Sequence, residues 1–259
     1  MNELLRLASA EQVAGFLCVL TRIAPLFLVA PMFSSRMMPA RVRVICAVAL
    51  TMGIAPVVTR GQHVPLDLIP LLGTLAKEAL VGLAFGFSIA VLFAAVSAAG
   101  SILDTLMGFS FGSLLDPLTG NQGTVLQQVY AMVGIAIFIV IGGDAWVIEG
   151  LDKTFDVIPL TGTPQLGSLV AGTVEAFSTI FVSALEVAAP VLLALLITDA
   201  AFGVVSRVVP QLNIFAVGFP AKILVGLIFV GLSLPFVGGW VADELQQSVS
   251  DGLQTLQLA

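Results

Sequence analysis

The sequence predicts an all-α polytopic membrane protein with about six apolar helices, several of them kinked. Three observations carry this reading. Of 259 residues, 58% are hydrophobic and 10% charged, with a mean hydropathy of +1.09, whereas soluble domains average roughly 45–50% apolar and about 25% charged. Six runs, residues 13–33, 42–58, 79–99, 125–141, 176–198 and 216–237, are long and apolar enough to cross a hydrocarbon core about 30 Å thick as helices. Prolines and isolated charges interrupt three of these runs, which a helix facing lipid all round would not tolerate.

Taken in order, the first run carries Arg22, Pro25 and Pro31, so it is expected to bend and to bury its charge against a partner. The residues before it hold Arg6 against Glu3 and Glu11 and lack the pattern of a cleaved leader, so the segment is read as retained. A basic connection with Arg36, Arg41 and Arg43 leads into the second run. The third run has no charge and places small residues at every fourth position, Gly82, Gly86, Ala90, Ala94 and Ala98. That spacing lets helix backbones approach closely, within the chain or against another subunit. Lys77 and Glu78 stand just before it and either pair or solvate. The fourth run is also free of charge, and residues 144–156 after it gather four acids and one lysine. Glu186 and Pro190 lie in the fifth run; Pro220, Lys222 and Pro235 lie in the sixth. Residues 199–215 read as a short polar turn and residues 243–259 as an acidic, weakly amphipathic tail. Counting Lys and Arg by alternate loops gives only a four-to-three preference for an outside N-terminus.

Residues 100–124 break the helical pattern. Asp104, Gly108, Gly112, Asp116, Pro117, Gly120 and Gly123 are set among Phe109, Phe111, Leu114 and Leu115. Glycine permits a non-helical path, but these apolar side chains need burial. The segment is either a re-entrant, pore-filling loop or a loop folded over its own helix ends.

Several function classes are excluded by what the chain lacks. The single histidine, His63, sits in a polar loop beside Pro65, and Cys18 and Cys46 both fall in apolar runs, so no zinc site is expected. GxSxG, HExxH and phosphate-cradling glycine loops are missing, which argues against hydrolysis and phosphoryl transfer. No cofactor is expected. The formal net charge is −6, with ten acids against three basic residues after Val140, and no Lys/Arg cluster forms a nucleic-acid footprint. No repeat of about 20–50 residues and no low-complexity linker divides the chain, so a single domain over residues 1–259 is expected. Glu186, Asp199 and Lys222 serve either as structural pairs or as an ion relay.

The stretch DAAFGVVSRVVPQLNIFAVGFPAK at residues 199–222 resembles the signature of the FliR family of flagellar biosynthetic proteins and of its SctT counterparts in virulence type III secretion. RIAPLFLVAPMFSSRMMPARVR, KEALVGLAFGF and AAGSILDTLMGFSFGSLLDP agree with it in order and spacing, so the resemblance covers residues 13–237. It implies a non-enzymatic subunit of the export gate in the bacterial inner membrane at the flagellar basal body, its helices forming hairpins in a helical assembly with FliP-like, FliQ-like and FlhB-like membrane proteins. Unfolded flagellar proteins pass through the centre of that assembly. It further implies a FliP-like part over residues 1–150 and a FliQ-like helical hairpin over residues 170–240.

On the same resemblance, residues 100–124 match a channel plug loop, with Gly108, Phe109, Phe111, Gly112, Leu114, Leu115, Asp116 and Pro117 in or beside the closed channel. Asp199, Arg207, Pro210, Asn213, Gly218, Pro220 and Lys222, with Glu186, are expected to shape and hold the last hairpin. GFSFGSLLDP and RVVPQLNIFAVGFP favour the flagellar over the virulence branch. A small-solute or ion transporter is the alternative from another class, and the matching inverted halves common in transporters are not found.

Overall fold

The computed structural model describes residues 9–34, 38–109, 124–211 and 213–257. All its regular elements are helices: α1 (Ala10–Val29), a single turn α2 (Pro31–Ser34), α3 (Ala40–Val58), α4 (Leu68–Met107), α5 (Val125–Val140), α6 (Gly143–Val157), α7 (Leu166–Val208) and α8 (Ile214–Gln257). Helix α1 starts on a capping box: Gln12 N–H donates to Ser9 Oγ at 3.2 Å, and Ser9 N–H donates to Gln12 Oε1 at 3.0 Å. It ends at Ala30, which turns extended because the following Pro31 disfavours the helical region. Pro25, Pro56, Pro190, Pro220 and Pro235 all lie inside helices.

Helices α1, α3, α4, α7 and α8 are each long and apolar enough to cross a membrane, and the pair α5–α6, bent by 74°, makes up to six. Gly142, at φ +70°, sits at that bend in the left-handed region that favours glycine. Three helices far exceed the apolar windows that announce them. At 40, 43 and 44 residues, α4, α7 and α8 are about 60–65 Å long at about 1.5 Å per residue, twice the hydrocarbon thickness. The polar end of α8 continues as helix because its buried positions keep a helical period. In the tail expected to be weakly amphipathic, Leu245, Ser248, Gly252 and Leu256 are all buried. The acidic stretch 144–156 is likewise the helix α6. Its acids Asp144, Glu149, Asp152 and Asp156 are exposed, while Val147, Gly150, Leu151, Thr154 and Phe155 are buried.

The chain forms two compact units. One comprises Met1–Val91, Gly142–Phe177 and Leu245–Ala259, the other Leu92–Ile141 and Ser178–Glu244. In the first unit α1 packs on α3. It also crosses α4 with backbone contact. A Cβ on Gly82 would overlap the Arg22 carbonyl, and one on Gly86 would lie 3.4 Å from Leu26 Cα. Both contacts advance by four residues in the same direction, so the two helices run parallel there. Gly82 and Gly86 are therefore true close-approach positions, whereas Ala90 is half-buried and Ala94 exposed. Phe85, between these two glycines in the chain, is wedged between Gly150 of α6 and Gly252 of α8. The second unit is built on the apolar stripe Val96, Ala99, Leu103 and Met107 of α4, packed with Leu126 and Tyr130 of α5, Ala184, Val187, Val191 and Leu195 of α7, and Val230, Val237 and Val241 of α8.

Candidate functional site

In the second unit, the C-terminus of α4 is fixed by local chemistry. Gly108 takes φ +87°; its N–H donates to Thr105 O at 3.2 Å, and Phe109 N–H donates to Asp104 O at 3.1 Å. This is the hydrogen-bond pattern of a helix stop on a left-handed glycine, and Phe109 completes it by packing on the apolar core. Gly108 thus terminates a helix. Residues 100–107, expected to be non-helical, form its last two turns. The two residues that suggested a loop have helical uses. Gly100 lies where α5 crosses, its Cα facing the Leu126 carbonyl and Gln127 backbone. Asp104, fully buried, accepts from Leu126 N–H through Oδ1 at 3.1 Å.

That last bond places a carboxylate at the N-terminus of α5, where unpaired backbone N–H groups and the helix dipole favour negative charge. Thr124 N–H also donates to Gln127 Oε1 at 3.4 Å. The two stems of the connection are therefore tied to each other: the end of α4 holds the start of α5. Phe111, Gly112, Leu114, Leu115, Asp116 and Pro117 lie outside the described residues. Sequence reasoning missed Asp104 as a cap, although the signal is present: it is the sole charged residue between Glu78 and Asp116.

The hairpin of α7 and α8 holds the other expected residues. Lys222 Nζ pairs with Asp199 Oδ2 at 2.6 Å, and Trp240 Nε1 donates to Glu186 Oε2 at 3.1 Å. Asn213 caps α8, its Oδ1 accepting from Ala216 N–H at 3.2 Å. Arg207 is exposed in the last turn of α7, favourable to the negative helix end. Pro210 is exposed in the turn, Pro220 is exposed inside α8, and Gly218 is buried. Glu186 and Asp199 are thirteen residues apart on one helix, about 20 Å at about 1.5 Å per residue, and each has its own partner on α8. The arrangement is two cross-links between neighbouring helices, and the three ionisable residues do not meet as a relay. The Trp240 partner of Glu186 was not anticipated.

A further group of charges lies in the first unit. Arg22 and Glu78 are both fully buried and paired, and Lys77 Nζ lies 3.0 Å from Glu78 Oε1. Among the described residues, no group of three or more His, Cys, Asp or Glu side chains gathers where a metal ion could be held. His63 is exposed and hydrogen-bonds Glu11 at 3.1 Å.

Residues 13–248 match the model of the family described as bacterial export proteins, family 1. The chain is similar to the flagellar biosynthetic protein FliR of Escherichia coli (strain K12), 33% identical over 218 residues, covering 84% of this chain and 83% of that protein. It is 33% identical over 245 residues to the protein of the same name in Bacillus subtilis (strain 168), covering 92% and 91%. It is also similar to the surface presentation of antigens protein SpaR of Shigella flexneri, 27% identical over 233 residues, covering 85% and 86%.

Proposed function

The chain belongs to the bacterial export proteins, family 1, and on that premise we infer that it is a structural, channel-forming subunit of the flagellar type III protein export gate. It sits as a multi-pass protein in the bacterial inner membrane at the flagellar basal body. The observation that carries this reading is the 33% identity to flagellar relatives over as much as 92% of the chain, which takes in both the α4–α5 stems and the α7–α8 hairpin. The virulence relatives, at 27%, support the second reading, a gate subunit of a virulence secretion system.

In the first reading the protein acts by shape and has no catalytic centre. FliP-like, FliQ-like and FlhB-like membrane proteins are its partners, and unfolded flagellar proteins are its cargo. The FliP-like part spans residues 1–150 and the FliQ-like hairpin residues 170–240. Support for an assembled state comes from exposed apolar residues along the hairpin, such as Leu193, Leu196, Ile197, Leu224, Ile228 and Leu232, which need lipid or partner helices against them. The α4–α5 connection is the plug of the channel. Its support is the pair of tied stems at Gly108 and Asp104, which fix the two ends of that connection.

The test is deletion of the gene in its own bacterium, followed by measurement of flagellar protein secretion and of motility. Loss of both, restored by the gene in trans, is expected. Normal motility with loss of virulence-factor secretion would favour the second reading. Solute uptake by the purified chain alone would overturn both.

A further inference from the structure

We propose that Arg22, Lys77 and Glu78 form a clasp that positions the turn from α6 to α7. The last carbonyls of a helix have no intrahelical partner. Helix α6 carries no basic residue in its last turn, and Asp156 there adds negative charge at the negative end of the dipole. Pro159 stops the helix locally, as Pro31 stops α1, but carbonyls at and beyond that end still need donors from elsewhere in the chain.

Arg22 of α1 and Lys77 of α4 supply them. Arg22 Nη1 donates to Thr154 O at 2.9 Å and Nη2 to Ile158 O at 2.8 Å, while Lys77 Nζ donates to Leu160 O at 2.5 Å and Gly162 O at 2.8 Å. Four carbonyls within nine residues are thus held by two cations, with Thr154 O also accepting from Ile158 N–H. The ring of Phe155 lies 4.2 Å under the guanidinium, which fixes its plane. Glu78 serves both cations, Oε2 accepting a hydrogen bond from Arg22 Nε and Oε1 lying 3.0 Å from Lys77 Nζ as an ion pair without hydrogen-bond geometry. One acid between two bases leaves a net positive charge facing the helix end.

The crossing of α1 and α4 makes this reach possible. Side chains on a helix lean toward its N-terminus, so Arg22, level with Gly82, reaches back one turn to Glu78. A side chain at Gly82 would strike the Arg22 carbonyl and part the helices, so Gly82 belongs to the clasp. Lysine cannot replace Arg22, because a point charge lacks the planar fork that meets Glu78 and two carbonyls at once.

Amide hydrogen exchange on the full-length protein tests this. Two amides report on the turn, Ile158 N–H, bonded to Thr154 O, and Gly162 N–H, bonded to Pro159 O; Thr59 N–H, bonded to Ala55 O, serves as a remote control. Arg22→Met should speed exchange at Ile158 and Gly162 by about tenfold or more while Thr59 keeps its rate. Should Arg22→Met fail to fold, Lys77→Met, at a residue partly open to solvent, should give the same rise at Gly162. Glu78→Gln, which strands two cations, should lower folded yield most, and Arg22→Met/Glu78→Leu should recover yield without restoring protection of the turn. Wild-type exchange at both reporter amides in a folded Arg22→Met or Lys77→Met protein would overturn the proposal. A double variant with lower yield than Glu78→Gln would overturn the role given to Glu78.

Discussion

Replacing Gly100 with alanine should destabilise the protein even though alanine is the better helix former. In an open helical position the exchange gains about 1 kcal/mol. At Gly100 the new Cβ would meet Leu126 O at 2.6 Å, Gln127 Cα at 2.8 Å and Leu126 C at 2.9 Å, all of them backbone. No side chain can rotate away, so the first turn of α5 must retreat by about 0.8 Å to reach ordinary contact. Overpacking of this kind costs about 1–3 kcal/mol. The retreat also stretches the 3.1 Å bond from Leu126 N–H to Asp104, worth about 1 kcal/mol or more because its acceptor is charged. The net loss is therefore about 1–3 kcal/mol, and the melting temperature should fall by about 2–4 °C for each kcal/mol. Gly73, on the same helix, is the internal control, because an added Cβ there would meet nothing within 4 Å. Thermal unfolding of the detergent-solubilised protein, followed by helical circular dichroism, should show Gly100→Ala melting lower and Gly73→Ala melting higher than the parent. A rise in both would refute a close α4–α5 crossing.

Three further outcomes follow from the same geometry. Gly108→Ala places a side chain at φ +87° and should cost about 1–2 kcal/mol, read as a lower melting temperature. Asn213→Ala removes the cap of α8 and should cost about 1 kcal/mol by the same measure. A double-mutant cycle on Asp199→Asn and Lys222→Met should return a coupling of only about 0.2–1 kcal/mol, because Asp199 is half exposed; salt should weaken it, and a coupling unaffected by salt would contradict that exposure.

Much of the architecture was legible because its signals are local. Apolar windows locate all five candidate spans and α5, and the four-residue spacing of Gly82 and Gly86 marks the crossing with α1. The polar extensions were harder to read. Acids at 144, 149, 152 and 156 look like a loop when counted as charge, yet they occupy the exposed side of a helix whose other side is buried. Gly100 and Asp104 suggest a break when only local propensity is weighed, but tertiary contact with α5 uses both inside a helix. Long-range pairs were the least legible. Arg22 and Glu78 lie 56 residues apart and Glu186 and Trp240 lie 54 apart. The sequence shows that buried charges require partners, but not which helices bring them together.

The central claim, that this chain works as a subunit of a membrane protein-export gate, is tested most directly by isolating it under native expression from membranes of its own bacterium. Mass spectrometry and imaging of the purified particle should find it in a stable ring-like assembly with FliP-like and FliQ-like proteins. A chain recovered alone, moving small solutes when reconstituted into vesicles, would contradict the account.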